Sequence, residues 1–203
     1  MSNTKHASTD HPVHALIAGR WSPYAFSDRA VSLDDVRSLF EAARWAPSSY
    51  NEQPWRWILA ARDQDPEGHA KLLSCLVEGN QGWAKVAPVL VLGVVSTQFS
   101  RNGKPNKAAQ HDLGLAAGNL SLEATARGLV VHQMIGIEPE TARTTFAIPV
   151  GFDAFTGLAI GYAGDPATLP EGLAQREAAP RSRKPLTELL HGTGGWDSPS
   201  PLA

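Results

Sequence analysis

The sequence predicts an α+β fold, and three observations predict it. The run Pro88–Ser96 is almost continuously apolar and bounded by turn-type residues, which is the pattern of a strand buried on both faces. The stretch 108–127 has the length and spacing of one long helix that is apolar on several sides. Between and around them, helical and strand patterns do not alternate strictly, which argues against a doubly wound parallel sheet.

The elements follow in chain order. Met1 to His14 is polar, lacks an apolar segment of the kind that directs secretion, and reads as a flexible tail, leaving 15–203 as a single domain. Ser32 with Asp35 three positions on forms a capping pair, and Leu33, Val36, Leu39, Phe40 and Ala43 make the apolar stripe of the helix that follows. Pro47 disfavours helical geometry at Ala46 and stops that helix. Trp55–Ala61 is rich in aromatic and aliphatic residues and predicts a strand. His69–Glu78 predicts a helix with Leu72, Leu73, Leu76 and Val77 inward and Gly79 as its stop, with Cys75 a buried, inert thiol inside it. Residues 97–107 are polar and basic, with Gly103 and Pro105, and predict a loop.

In the long helix, Leu113, Ala116, Ala117, Leu120 and Ala124 form one face, while Leu115 and Leu122 lie elsewhere. Its small residues, Gly114, Ala117, Gly118 and Ser121, permit close approach of another backbone, so it reads as a central core helix or as a dimer axis. Leu129–Met134 then predicts a strand, Pro139–Phe146 a helix with proline in its first turn, and Phe155–Tyr162 a strand. Residues 163–180 predict an irregular surface segment. Pro185–Leu190 predicts a short helix closed by Gly192.

Composition removes several function classes. The chain has 203 residues, 42% of them hydrophobic, enough for one domain with a real core. Net charge is −2 with dispersed Lys and Arg, so no basic stripe offers itself to nucleic acid. No apolar run reaches membrane-spanning length. Cys75 is the only cysteine, which excludes an internal disulfide and fits a cytoplasmic location. Neither a dinucleotide Gly-x-Gly-x-x-Gly, a phosphate-binding loop ending in Gly-Lys-Ser/Thr, nor a Gly-x-Ser-x-Gly elbow is present. His69, His111, His132 and His191 are too scattered for a zinc site.

One stretch carries chemistry. Between the proline that stops a helix and the strand at Trp55, Ser48, Ser49, Tyr50, Asn51 and Gln53 crowd hydrogen-bonding side chains into a short loop. Rigid elements on both sides would hold them for a ligand rich in hydroxyls and amides, whereas the plainer alternative is a turn that satisfies its own backbone. The segment Ala46-Pro47-Ser48-Ser49-Tyr50-Asn51-Glu52-Gln53-Pro54-Trp55 resembles the Ala-Pro-Ser-x-x-Asn-x-Gln-Pro-Trp signature of the nitroreductase family of FMN-dependent oxidoreductases. Upstream, Arg20-Trp21-Ser22-Pro23-Tyr24 stands where that family has its Arg-x-Ser-x-Arg motif. The resemblance continues through Asp112–Gly136 and Ile160-Gly161-Tyr162 to Arg181-Ser182-Arg183.

The resemblance implies a mixed, mostly antiparallel sheet wrapped by helices, in an interlocked homodimer. It implies that Arg20, Arg181 and Arg183 hold the FMN phosphate, that Ser22 with Pro47, Ser48, Ser49, Asn51 and Gln53 line the ribityl chain and ring edge, and that Met134, Ile135 and Gly136 form the turn facing flavin N5. In the family the Asn-bearing loop comes from the partner chain, so each site is shared. Trp21 stands where a second arginine is common and reads as a packing residue, and Tyr24 occupies a position where the family usually has Arg or Lys reaching the ring edge. A tyrosine there donates a hydrogen bond but carries no charge near neutral pH. The implied reaction passes hydride from NAD(P)H through the flavin to a nitro, quinone or similar electron-poor acceptor, with no side chain required as acid or base. The alternatives are storage or sensing of FMN, and action on a dedicated non-nitro substrate. His132 reads as a packed histidine with a role beside the ring left open.

Overall fold

The computed structural model describes residues 5–201. Helices α1 (Ala15–Gly19) and α2 (Leu33–Arg44) precede strand β1 (Trp55–Ala61). Helices α3 (Pro66–Ser74) and α4 (Glu78–Ala84) lead to β2 (Val89–Ser96). The long α5 (Ala109–Ala126), β3 (Val130–Met134), α6 (Pro139–Phe146), β4 (Phe152–Gly161) and α7 (Glu171–Ala178) complete the regular elements. The strands form one sheet in the order β1-β2-β4-β3. The expected α+β architecture is present, and among the described residues every strand pairing is antiparallel.

Alternation along the strands sorts side chains to two cores. Val89, Val91 and Val95 of β2 face the same way as Leu158 and Ile160 of β4 and meet Leu39 of α2 and Leu113 and Leu120 of α5. Leu90, Leu92 and Val94 point to the opposite face and meet Leu72, Leu76, Trp83 and Ala142. Helices therefore cover both faces. Ser32 caps α2 as expected, its Oγ accepting the Asp35 amide at 3.0 Å.

Four expectations are corrected. The single helix over 69–78 is two helices. Asp65 caps α3 by accepting the Gly68 amide at 2.8 Å, Pro66 occupies its first turn, and the chain then leaves helical geometry. There Leu76 bridges to Ile137, and Val77 and Cys75 exchange backbone bonds with Gly136 and Glu138. Tertiary pairing overrides local propensity, and Gly79 falls inside α4 instead of ending a helix. Cys75 is buried, as expected, although it caps α3 from just outside. Strand β4 starts at Phe152, not Phe155. The register runs from Gly93↔Thr156 to Val94↔Ala154, leaving Phe155 as the extra residue of a bulge. That bulge breaks the period-two pattern on which the sequence reading depends. Finally, 163–180 contains α7, and the short helix at 185–190 is a single 3₁₀ turn, Leu186–Glu188.

Of the N-terminal tail, residues 5–14 carry no regular structure, but two of them are tied to the domain. Ala7 N–H donates to Ala18 O at 2.9 Å, and Lys5 Nζ donates to Ala179 O at 2.7 Å. No helix among the described residues is long and apolar enough to cross a membrane.

Candidate functional site

Three of the sequence-predicted arginines meet. Arg20 follows α1 as its C-cap, and Arg181 and Arg183 arrive from the other end of the chain. All three line one cleft of about 240 Å³ with Ser22 and Tyr24. Arg20 Nη1 donates to Ser22 Oγ at 3.1 Å. Arg181 Nη1 donates to the carbonyls of Lys5 and Ala18 at 2.9 and 2.6 Å, which fixes the C-terminal arm against the N-terminal segment. Trp21 is half-buried, with Lys5 Nζ 5.4 Å from its ring centroid.

The electrostatics are those of an anion site. Burial, followed by the nearby guanidinium groups of Arg181 and Arg183, lowers the Arg20 pKa. Arg181 is lowered in the same way by burial and by Arg183. None of the three belongs to an ion pair among the described residues. Three positive charges gathered without an ion-pair partner among the described residues repel one another, and an anion with several acceptor oxygens relieves that repulsion.

A second cleft of about 440 Å³ shares Arg20 and Ser22 and runs along α5 past Gly114, Gly118 and Asn119 to Gln133. It extends the arginine cleft towards the end of β3. Among the predicted turn residues there, Met134 is buried and Ile135 is 67% exposed. A Cβ on Gly136 would lie 2.6 Å from Asn80 Nδ2 and 2.9 Å from Val77 Cγ2. The glycine is demanded by packing within the chain, since Asn80 Nδ2 donates to its carbonyl at 3.0 Å.

His132 packs. Its Nδ1 lies 2.8 Å from Pro23 O, so that nitrogen carries the proton and donates. Its ring sits 4.8 Å from that of Tyr24 and 4.4 Å from that of Trp83. Burial chiefly lowers its pKa, and Arg20 lowers it further, so the ring is held neutral. Tyr24 is wedged in the same aromatic group, edge-on to Trp83 at 5.3 Å.

The loop at 47–53 lies elsewhere on the chain. Pro47 is exposed, and Ser49 N–H donates to Asp112 Oδ2 at 3.0 Å. Asp112, 2% exposed in the first turn of α5, is the anchor of this loop. Tyr50, Asn51 and Gln53 adopt φ of 55°, 55° and 51°. Left-handed geometry costs a non-glycine residue on the order of 1 kcal/mol or more and persists only when surroundings enforce it. The enforcement is visible. Ser48 Oγ accepts the Gln53 amide at 3.0 Å, and Gln53 Nε2 donates to Asn51 O at 3.0 Å. Glu52 Oε1 accepts the Ser100 amide at 2.7 Å, and Tyr50 meets Phe99 edge-on at 5.8 Å with Arg101 4.0 Å from its ring. Gln53 thus braces the loop, while the Asn51 side chain stands exposed.

One chain does not unite the two groups. Asp112 anchors the loop near one end of α5, and Gly19, beside Arg20, lies against Thr125 near the other. Thirteen residues of helix separate those points, about 20 Å at 1.5 Å per residue.

Sequence reasoning missed Glu177. It is 3% exposed, lines the arginine cleft, and accepts the Tyr24 amide at 2.8 Å. The signal was the run of helix formers after Pro170, which places a helix where an irregular segment was expected. Among the described residues, no group of His, Cys, Asp or Glu is arranged to hold a metal.

The antiparallel sheet and the helices on both faces define an α+β protein, and three arginines line one of its clefts. Residues 17–162 match the nitroreductase family, and the chain belongs to that family. An uncharacterised 15.4 kDa protein of Mycolicibacterium smegmatis is 34% identical over 137 residues, covering 68% of this chain and 90% of that one. A protein of Streptomyces coelicolor, provisionally named NADH dehydrogenase/NAD(P)H nitroreductase, is 29% identical over 173 residues, covering 75% of this chain and 84% of its own. Among solved structures, an oxidoreductase containing FMN is 34% identical with a TM-score of 0.88, covering 98% of this chain and 100% of that one.

Proposed function

We propose that the protein is an FMN-dependent oxidoreductase, working as a homodimer, that takes hydride from NAD(P)H and delivers it to a nitro, quinone or similarly electron-poor small molecule. The observation that carries this reading is the meeting of Arg20, Arg181 and Arg183 in one cleft with no carboxylate ion pair. A phosphate monoester dianion offers negative charge and several acceptor oxygens to guanidinium groups that no carboxylate pairs with among the described residues. The FMN held by the similar oxidoreductase structure supports the same choice of ligand.

FMN, when bound, supplies hydride transfer at N5, and the protein supplies position and electrostatics. Arg20, Arg181 and Arg183 bind the phosphate, with Ser22 beside them. The groove past Gly118 and Asn119 to Gln133 takes the rest of the cofactor along α5, bringing it towards Met134, Ile135 and Gly136. His132 and Tyr24 keep the 20–24 segment in place by packing.

The dimer follows from what one chain leaves apart. The exposed Asn51 and the arginine cleft become one site when the loop of a second chain reaches across α5. Gly114 and Leu115 are exposed on that helix, which offers a surface for close contact. A single buried thiol and the absence of a disulfide suit the cytoplasm.

The test is anaerobic mixing of FMN-loaded protein with NADH and with NADPH, following flavin absorbance. Rapid bleaching by either nicotinamide, with re-oxidation on adding a quinone or nitroarene, is expected. A flavin that binds but is never bleached would favour storage or sensing, and a chain that takes up no FMN at all would sink both readings.

A further inference from the structure

Helix α7 fully buries one side chain, and it is an acid, Glu177, 3% exposed. A glutamate is almost never buried to that degree unless paired. Here Oε2 accepts the Tyr24 amide at 2.8 Å, whereas Oε1 has no hydrogen-bond partner. The residue lines the same cleft as Arg20, Arg181 and Arg183. An ionised carboxylate leaves that oxygen as a desolvated, unsatisfied charge. A neutral carboxylic acid has one O–H donor, and with Oε2 committed to accepting from Tyr24, the proton resides on Oε1.

We propose that Glu177 is a proton-carrying latch of the cleft: as the neutral acid it donates from Oε1 to a phosphate oxygen gathered by the arginines, and as the carboxylate it repels that phosphate. The inference rests on the FMN reading for the identity of the ligand. It goes beyond that reading by making phosphate binding and protonation of Glu177 a single event.

The surroundings agree. Burial is the main cause that raises the Glu177 pKa, against the Tyr24 amide and Lys5, which lower it. The charged and titratable groups facing it in the cleft are Lys5 from the N-terminal segment, Arg20 and Tyr24 from the segment after α1, Arg176 from its own helix, and Arg181 and Arg183 from the C-terminal arm. Beyond Tyr24, His132 is held neutral by burial, and a separate groove carries Asp28, Lys85 and Asp165. Arrival of a phosphate adds negative charge beside Glu177 and draws a proton onto it. The sign is distinctive, because the arginines alone would bind a phosphate monoester better as it becomes dianionic above about pH 6.

FMN and riboflavin are titrated against wild type and Glu177→Gln between about pH 6.5 and about pH 8.5, a range above the phosphate's own titration. Glutamine imitates the neutral acid, accepting from Tyr24 and donating into the cleft at every pH. FMN affinity of wild type should fall about tenfold relative to the variant across the range, and riboflavin, lacking phosphate, should show no such difference. Wild-type calorimetry in two buffers of different protonation enthalpy should register proton uptake on FMN binding, which keeps the test alive should the variant fold poorly. The ligand-free variant should melt higher than wild type above the ordinary carboxyl range. A folded-state pKa raised above the unfolded value lowers stability as pH rises through that window, and glutamine removes the effect. Matching pH dependences for the two proteins, or no proton uptake by wild type, would overturn the latch. Failure to bind FMN at any pH would instead refute the flavin reading, and inorganic phosphate in the same melting experiment would then decide the latch on its own.

Discussion

Arg183 and Arg181 sit two residues apart yet do different work. Among the described residues, Arg183 Nη1 donates to the neighbouring Ser182 carbonyl at 2.7 Å and joins no ion pair, so its charge is available to the cleft. Replacing Arg183 with Ala removes a charge-assisted hydrogen bond, worth roughly 1.5–3 kcal/mol, and should weaken FMN about ten- to hundredfold. Arg37→Ala, at an exposed surface ion pair with Asp34, is the control and should leave the affinity unchanged. Quenching of flavin fluorescence on titrating apoprotein reads both, and equal affinities would mean the clamp is misassigned. Arg181→Ala should in addition lower the melting temperature, because Arg181 ties the arm to Lys5 and Ala18. A second residue-scale effect concerns His69, 4% exposed, with Nε2 2.9 Å from Ala87 O. Burial, the larger cause, and Arg62 together lower its pKa, as burial and Arg20 do for His132. The unfolded chain therefore binds more protons than the fold as pH drops below about 6.5. Stability should decline on acidification through that window, and thermal melts of His69→Gln should show a shallower decline than wild type.

At the scale of elements, the joint between α5 and the polar loop is the one most open to attack. Asp112→Ala removes a buried carboxylate that accepts the Ser49 amide, and should destabilise the protein by about 1.5–3 kcal/mol. It should also weaken FMN, because Tyr50, Asn51 and Gln53 then lose part of what enforces their left-handed geometry. Ser32→Ala, which removes a helix cap far from the loop, should cost about 1 kcal/mol and leave FMN alone. Denaturant melts with flavin titrations separate the two, and parallel losses of affinity would show that the loop does not depend on Asp112. The same elements show what the sequence made legible. β1 and α6 are marked by composition and punctuation, and β2 and α5 by the length of their apolar stretches, so the chain announces them. The split between α3 and α4 was hidden, because Cys75–Val77 leaves the helix to pair with Gly136–Glu138, more than fifty residues on. The start of β4 was hidden by the bulge at Phe155. The arginines were legible from motif positions, whereas Glu177 was not, since a glutamate in a polar helix carries no mark of burial.

For the whole molecule, the proposed site spans two copies of the chain and both ends of each. The protein should elute as a dimer, and a chain ending at Pro180 should lose FMN and thermal stability together. A truncated, soluble monomer that keeps FMN and melts cooperatively would contradict the shared site. The ends also meet physically: Lys5 donates to Ala179, and Arg181 reaches back to Lys5 and Ala18. Sheet and long helix are both complete in sequence by Gly161, so every strand leaves the ribosome before residues 181 and 183. On the proposed clamp, FMN capture then waits for that arm, and a nascent chain stalled before Arg181 should stay colourless.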